Sequence, residues 1–231
     1  MTESAEGVRK VLSNYISMTG RVVTLAGVSL ECESSLEYDF AELLDFNSRV
    51  GTIGAQPMTI KYRVAGESGV RRYTPDFLVK FRNSHQKTPW QPILYEVKFR
   101  DELEEKKREL SYGFAAAKLL CKSRRWRFRV VTETFIRTPF LENVKFLRGF
   151  RTYPDTGVHS AMLLEVIEQL EVATPAELLA ATFQDMQRRM EAVGVLWRLI
   201  ANRSIGANLM SKLTMSSEIW HEEPVLYAAN V

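Results

Sequence analysis

Two short apolar stretches, each interrupted by charge, constrain this chain more than anything else in it. Tyr73-Thr-Pro-Asp76-Phe-Leu-Val is followed, nineteen residues after Asp76, by Tyr95-Glu96-Val97-Lys98-Phe99. β-Branched and aromatic residues dominate both stretches and turn-formers bound them, which predicts strands. Side chains alternate along a strand, so Glu96 and Lys98 share one face while Val97 takes the other. Ile93, Leu94, Val97 and Phe99 suggest an interior strand, where an isolated carboxylate or ammonium is costly and is normally paired or metal-bound. A Glu-x-Lys on a strand is by itself most often a solvated ion pair. The Pro-Asp ahead of it shifts that balance, because Asp76, Glu96 and Lys98 together suit a divalent metal held by hard oxygen ligands beside a fixed cation.

At 231 residues the chain can bury a sizeable core, as one large domain or two small ones. Residues 1–20 carry Glu3, Glu6, Arg9 and Lys10 without an apolar run of signal-peptide length, and no later segment reaches the ~18 apolar residues of a membrane span. The expected location is the cytoplasm. Cys32 and Cys121 stand far apart, and His85, His159 and His221 show no ligand spacing, which argues against both a zinc site and a disulfide framework. The net charge of +3 hides an asymmetry: residues 1–154 hold 26 Lys or Arg against 18 Asp or Glu, and residues 155–231 hold 5 against 10. The first part suits a polyanion and the second does not.

Along the chain, residues 1–20 read as a short helix or arm without chemistry. Arg21–Leu30 reads as a strand or hairpin, and Ser34 or Ser35 caps a helix whose apolar residues include Leu36, Phe40, Leu43 and Leu44. Glu37 lies at the edge of that helix's buried face; in the plain reading it is a first-turn carboxylate that complements the helix dipole. Glu33, Asp39, Glu42 and Asp45 are expected in solvent. Strands follow at Val50–Gln56, Thr59–Val64, Arg71–Phe81 and Ile93–Phe99, then a helix opening at Asp101 and running past Lys118, a strand over Arg125–Thr132 and a short helix over Pro139–Gly149. The sum is a mixed α/β core with acidic residues at strand ends.

Residues 118–129 hold Lys118, Lys122, Arg124, Arg125, Arg127 and Arg129 with no acidic residue, and Trp126 and Phe128 lie between them. Such a run is either a solvated edge strand that discourages association or a surface that neutralises DNA phosphates without reading sequence. Past an interdomain turn at Tyr153–Gly157, helices are expected at Val158–Val172, from Thr174-Pro, and at Met186–Asn202, with a hairpin over Ile205–Trp220. Three helices and a hairpin outline a winged helix. Arg188, Arg189, Arg198 and Arg203 could meet DNA there, while the acidic balance of this part favours a protein partner equally well.

With these residues in place, the chain resembles the TnsA family, the endonuclease subunits of heteromeric transposases within the restriction-endonuclease-like PD-(D/E)xK superfamily. Ser34-Ser-Leu-Glu37-Tyr-Asp-Phe-Ala-Glu-Leu-Leu-Asp-Phe is similar to the family's first helix, Thr74-Pro-Asp76-Phe-Leu-Val to its metal-binding strand, and Tyr95-Glu96-Val97-Lys98 to the strand after it. Some members carry Gln where this chain has Glu96. The match over Leu199–Ile205 and the following hairpin, to a winged C-terminal domain, is looser.

The resemblance implies a restriction-endonuclease-like mixed sheet flanked by helices over residues 21–154, preceded by an arm over 1–20, and a winged-helix-like C-terminal domain over 155–231. It makes Glu37, Asp76, Glu96 and Lys98 the expected catalytic set. Asp76, Glu96 and the Val97 carbonyl are the expected ligands of Mg²⁺, for which Mn²⁺ can substitute, and Glu37 is a candidate for holding a second ion or a metal-bound water. Lys98 is expected to orient or deprotonate the attacking water and to stabilise developing charge. The implied reaction is cleavage of the 5′ strand at transposon ends in double-stranded DNA, leaving a 5′-phosphate and a 3′-hydroxyl. The implied partners are a DDE-type recombinase, TnsB, and an AAA+ regulator, TnsC, reached through the C-terminal region. A stand-alone repair or restriction nuclease of the same fold, and a non-catalytic DNA-binding assembly module, are the alternatives.

Overall fold

The computed structural model describes residues 20–82 and 90–222, so the expected arm, except Gly20, and His85 lie outside the described residues. The chain divides into two compact units, Met1–Arg137 and Thr138–Val231. The division falls ahead of the Tyr153–Gly157 turn and gives the helix at Pro139 to the second unit.

In the first unit the elements run β1 (Gly20–Val23), β2 (Ser29–Cys32), α1 (Ser35–Phe46), β3 (Val50–Ala55), β4 (Ile60–Tyr62), β5 (Arg71–Tyr73), β6 (Phe77–Phe81), β7 (Ile93–Val97), α2 (Arg100–Glu105), α3 (Lys107–Arg124), β8 (Arg127–Val131) and α4 (Glu133–Ile136). The main sheet has the order β3-β6-β7-β8, antiparallel except for the parallel pair β7/β8. A parallel pair needs a crossover, which α2 and α3 provide. Every residue of β7 is buried, in keeping with an apolar run that is covered on both faces.

On one face of the sheet, Phe40 of α1 meets the rings of Phe77 and Tyr95 at 5.9 and 5.0 Å. On the other, Ala117 and Cys121 of α3 pack on Leu94, with Ile60, Tyr73, Leu78, Trp126 and Phe128 around them. This mixed sheet between helices fits a restriction-endonuclease-like fold.

Several sequence expectations need correction. The single strand expected over Arg71–Phe81 is two, since among the described residues β5 pairs with β4 alone and β6 with β3 and β7. Pro75 has no N–H to donate to a ladder, and the chain changes sheets at that point. The helix opening near Asp101 is interrupted at Lys106, whose φ is −100°. Asp39 and Glu42 are buried rather than solvated. Asp39 is drawn in by Arg137, whose Nε donates to its Oδ2 at 2.8 Å while Nη2 donates to Ser35 Oγ at 3.0 Å. Asp45 Oδ1 accepts from the Leu25 N–H at 3.0 Å.

In the second unit the elements are α5 (Pro139–Arg148), α6 (Val158–Leu170), β9 (Val172–Ala173), α7 (Pro175–Thr182), α8 (Met186–Ala201), β10 (Ile205–Ala207) and β11 (Ile219–His221). The strands form an antiparallel sheet of order β10-β11-β9. The helix expected to reach Val172 stops at Leu170, because Glu171 adopts φ +60° and turns Val172 and Ala173 into pairing with β11. Thr174 and Glu177 close a capping box on α7, with Pro175 at its first position. Leu141, Leu147, Leu163, Ile167, Leu178, Leu196, Ile205 and Ile219 are among this unit's fully buried side chains.

Candidate functional site

Asp76 is held by its main chain before its side chain does anything. Its N–H donates to the Tyr95 carbonyl at 3.1 Å, and its carbonyl accepts from Gln56 N–H at 2.7 Å. The Pro75–Asp76 step is thus fastened between the end of β3 and the middle of β7. Its carboxylate turns toward β7, where Oδ2 accepts the Val97 N–H at 2.7 Å. The Lys98 N–H donates to Val131 of β8 at 3.1 Å, which fixes the residue after β7 as firmly as the strand itself.

Glu96 projects from β7 and is 3% exposed; Asp76 is 9% exposed. The Tyr73 hydroxyl donates to Glu96 Oε2 at 2.6 Å. Lys98 Nζ lies 3.2 Å from Glu96 Oε1 and 3.9 Å from Asp76 Oδ2, and donates to the Val97 carbonyl at 3.2 Å. Two carboxylates and one main-chain carbonyl therefore ring a single positive charge. The structure brings Asp76, Glu96, Val97 and Lys98 together at one point, as the strand pattern predicts for Glu96 and Lys98.

Glu37 is also buried, at 5% exposed, but its oxygens are engaged at the start of α1. Oε2 accepts the Glu33 N–H at 2.8 Å and Oε1 accepts the Ser34 hydroxyl at 2.9 Å, while Ser34 Oγ accepts the Glu37 N–H at 3.1 Å. Ser34 and Glu37 here cap the helix together, in addition to the dipole complement that the plain reading gives a first-turn carboxylate. Its charge still reaches the site.

Burial pushes Asp76 well above the ordinary carboxylate range; the neighbouring Glu96 and Glu37 add to that, and Lys98 and the Val97 N–H oppose it. Glu96 is likewise raised by burial against the opposing pull of Lys98 and Tyr73, and Glu37 is raised by burial against its two cap bonds and Lys98. On Lys98, burial favours the neutral amine, yet Asp76 and Glu96 outweigh it and hold the ammonium above its ordinary value. Cys32 feels the same excess of negative charge: burial, then Glu37 and Asp76, push its thiol up to about 12. One ammonium against three buried carboxylates leaves the pocket short of positive charge.

Among the described residues no three His, Cys, Asp or Glu side chains stand together as a metal cage. The arrangement instead offers Asp76 and Glu96 with the Val97 carbonyl, all hard oxygen donors converging where an ammonium now sits. That donor set suits Mg²⁺ or Mn²⁺, which commonly take only one or two protein carboxylates.

Two residues at this site are not assigned a role by the sequence. Tyr73 reads as a strand residue; the one signal for more is that a buried phenol needs a partner. Gln56 is 7% exposed, takes φ +43°, and its Oε1 has no hydrogen-bond partner. Nothing in the sequence pattern marks it.

All six residues of the basic run are exposed, but they do not form one surface. Arg127 and Arg129 align with Ile93 and Tyr95 of β7, whereas Phe128 and Val130 align with Leu94 and Glu96. Aligned residues project to the same face, so the two arginines leave on the α1 side. Lys118, Lys122 and Arg124 ride on α3, which covers the opposite face, and Arg125 caps α3 with φ +57°. Arg124 lies 4.9 Å from the Trp126 ring centroid and reaches Met58 Sδ at 3.7 Å.

No helix among the described residues is long and apolar enough to cross a membrane. No curated protein matches the chain. Residues 47–133, less than half of the chain, match the family described as TnsA-like endonuclease N terminal. That segment contains Asp76, Glu96, Val97, Lys98 and the whole basic run but not Glu37, and it supports a TnsA-like nuclease in the first unit.

Proposed function

We propose that this chain is a metal-dependent DNA endonuclease of a transposase complex, which cuts the 5′, non-transferred strand at transposon ends and leaves a 5′-phosphate and a 3′-hydroxyl. The observation that carries the reading is the convergence of Asp76, Glu96 and the Val97 carbonyl on one cationic point inside the TnsA-like segment. Asp76, Glu96 and the Val97 carbonyl would hold Mg²⁺, which when bound supplies Lewis-acid activation of the phosphodiester. Tyr73 fixes the orientation of Glu96, and the Val97 N–H fixes Asp76. Lys98 orients the attacking water and stabilises charge building on the phosphate oxygens. Glu37 adds negative charge from the start of α1. Of the basic run, either Lys118, Lys122, Arg124 and Arg125 at α3 or Arg127 and Arg129 on the opposite face would grip duplex phosphates.

We read the second unit as a winged helix on the strength of its α6-β9-α7-α8-β10-β11 order and its β10-β11-β9 sheet. Two of the four arginines that could face DNA there are occupied within the unit. Arg198 pairs with Asp155 at 3.0 Å, and Arg189 Nε donates to the Phe183 carbonyl at 2.6 Å. This favours a protein partner for the unit, an AAA+ regulator of the TnsC kind, with a TnsB-type recombinase cutting and joining the 3′ ends.

The test is a strand-resolved cleavage assay on transposon-end duplex with the recombinase present. Wild-type protein with Mg²⁺ is expected to cut the 5′ strand, and Asp76→Ala to assemble with its partners but leave that strand intact. Equal cutting by the two proteins would remove Asp76 from the chemistry.

A further inference from the structure

The hairpin β4–β5 forms a two-stranded sheet of its own, beside the four-stranded one. Its register sets Ile60 opposite Tyr73, Lys61 opposite Arg72 and Tyr62 opposite Arg71. Opposed residues share a face, and faces alternate along each strand. One face is already used. Ile60 and Tyr73 pack on the Leu94, Ala117 and Cys121 cluster, and Arg71 is held by Glu67 at 2.7 Å and lies 5.6 Å from the Tyr112 ring centroid.

The other face carries Lys61 and Arg72, Arg63 follows directly after the end of β4, and all three are exposed. No side-chain hydrogen bond or ion pair engages any of them among the described residues. Like charges directly opposite each other destabilise a ribbon, and an isolated two-stranded ribbon has little stability to spare. A surface built this way is relieved by an anion that lies along it. The ribbon is also tied to the site. The Thr59 and Thr74 hydroxyls are hydrogen-bonded at 3.1 Å across its base, Tyr73 donates to Glu96, and Asp76 follows Tyr73 by three residues.

We infer that the exposed face of this ribbon, Lys61, Arg63 and Arg72, is a DNA-backbone contact that seats duplex phosphates beside the Asp76–Glu96–Lys98 site; it rests on the nuclease reading for the identity of its polyanion. The contact is separate from the basic run of α3 and β8. It recognises charge and spacing and reads no base.

The experiment measures binding of the full-length protein to a fluorescein-labelled duplex by anisotropy across a salt series, with a chelator present so that no strand is cut. In the triple variant Lys61→Gln/Arg63→Gln/Arg72→Gln, the slope of log K against log salt is expected to become shallower by about 3, roughly one unit per lost phosphate contact. Affinity at about 0.1 M salt is expected to fall on the order of 10- to 100-fold. The charge-preserving Lys61→Arg/Arg63→Lys/Arg72→Lys protein is expected to keep the slope. The control Arg188→Gln/Arg203→Gln/Lys212→Gln removes three exposed cations of the second unit and is expected to leave it unchanged. An unaltered slope in the ribbon variant, or an equal loss in the control, overturns the inference. Should the triple variant melt early, Arg63→Gln and Arg72→Gln singly are each expected to remove about one unit of slope, and no change in either is equally fatal. Wild-type cleavage is scored separately. A slope change without any cleavage keeps the contact and removes the nuclease reading, whereas cleavage without a slope change removes the contact alone.

Discussion

Lys98 stands 3.2 Å from both Glu96 Oε1 and the Val97 carbonyl, two of the three protein oxygens proposed to hold Mg²⁺. An ammonium on those oxygens would compete with a divalent ion for the same negative charge. Replacing Lys98 by Met removes the competing charge. Calorimetric Mn²⁺ affinity of Lys98→Met is expected to match or exceed wild type while cleavage falls by at least about 100-fold, the scale of a lost acid–base or charge-stabilising group. A parallel loss of Mn²⁺ binding would mean that Lys98 supports the ligands rather than occupying their place. The carboxylates carry a pH signature of their own. Burial holds Asp76, Glu96 and Glu37 above the ordinary values of 3.8 and 4.5, so the folded protein keeps their protons more tightly than the unfolded chain does. The stability this supplies is complete below those ordinary values and is lost as pH rises through the raised ones. Lys98, raised from 10.5, contributes evenly below that value and does not offset the slope. Metal-free wild type is therefore expected to lose Tm as pH rises above the ordinary carboxylate range more steeply than Asp76→Asn, and Mn²⁺ is expected to flatten the curve. Thermal melts in chelator and in Mn²⁺ check both.

Among the elements, β5 does more for the site than its three residues suggest. It places the Tyr73 phenol on Glu96 at 2.6 Å, and burial together with the carboxylate raises that phenol's pKa, so it is a proton donor at any working pH. Tyr73→Phe removes the donor and leaves Glu96 Oε2 without it. The expected cost is about 1–3 kcal/mol of stability, with weaker Mn²⁺ binding because Glu96 is less well oriented. Urea unfolding and calorimetry read the two effects; unchanged values in both would make the contact incidental. What the sequence disclosed follows the same lines. β7 is legible because five consecutive residues are buried, which an apolar run with two charges announces. The break between β5 and β6 is signalled only by Pro75, and the apolar pattern runs straight through it. The two-residue strand β9 is too short for any periodicity to reveal. The burial of Asp39 depends on Arg137, ninety-eight residues away in sequence, and no local pattern carries that partner. Glu37 illustrates the opposite case. The Ser34 cap is legible in the sequence, and the structure adds hydrogen bonds from the Ser34 hydroxyl and the Glu33 N–H to the Glu37 carboxylate.

Across the whole chain, charge and architecture divide at nearly the same place. Residues 1–137 hold 23 Lys or Arg against 17 Asp or Glu, and residues 138–231 hold 8 against 11, so the asymmetry seen in the sequence survives at the structural boundary. The first unit owns the sheet, the carboxylates and the exposed basic residues of α3, β8 and the β4–β5 ribbon. The second unit owns a separate apolar core, and it spends Arg189 and Arg198 on its own carbonyl and carboxylate groups. Long-range attraction to a polyanion follows net charge, and counterion release follows the number of phosphates neutralised. Duplex binding should therefore reside in the first unit. Residues 1–137 produced alone are expected to keep most of the salt slope of the full-length protein, and residues 138–231 are expected to bind the same duplex at least about 100-fold more weakly at about 0.1 M salt. If residues 138–231 instead held the larger share of the slope, α8 would be a DNA-reading helix, and the assignment of the second unit to a protein partner would fall.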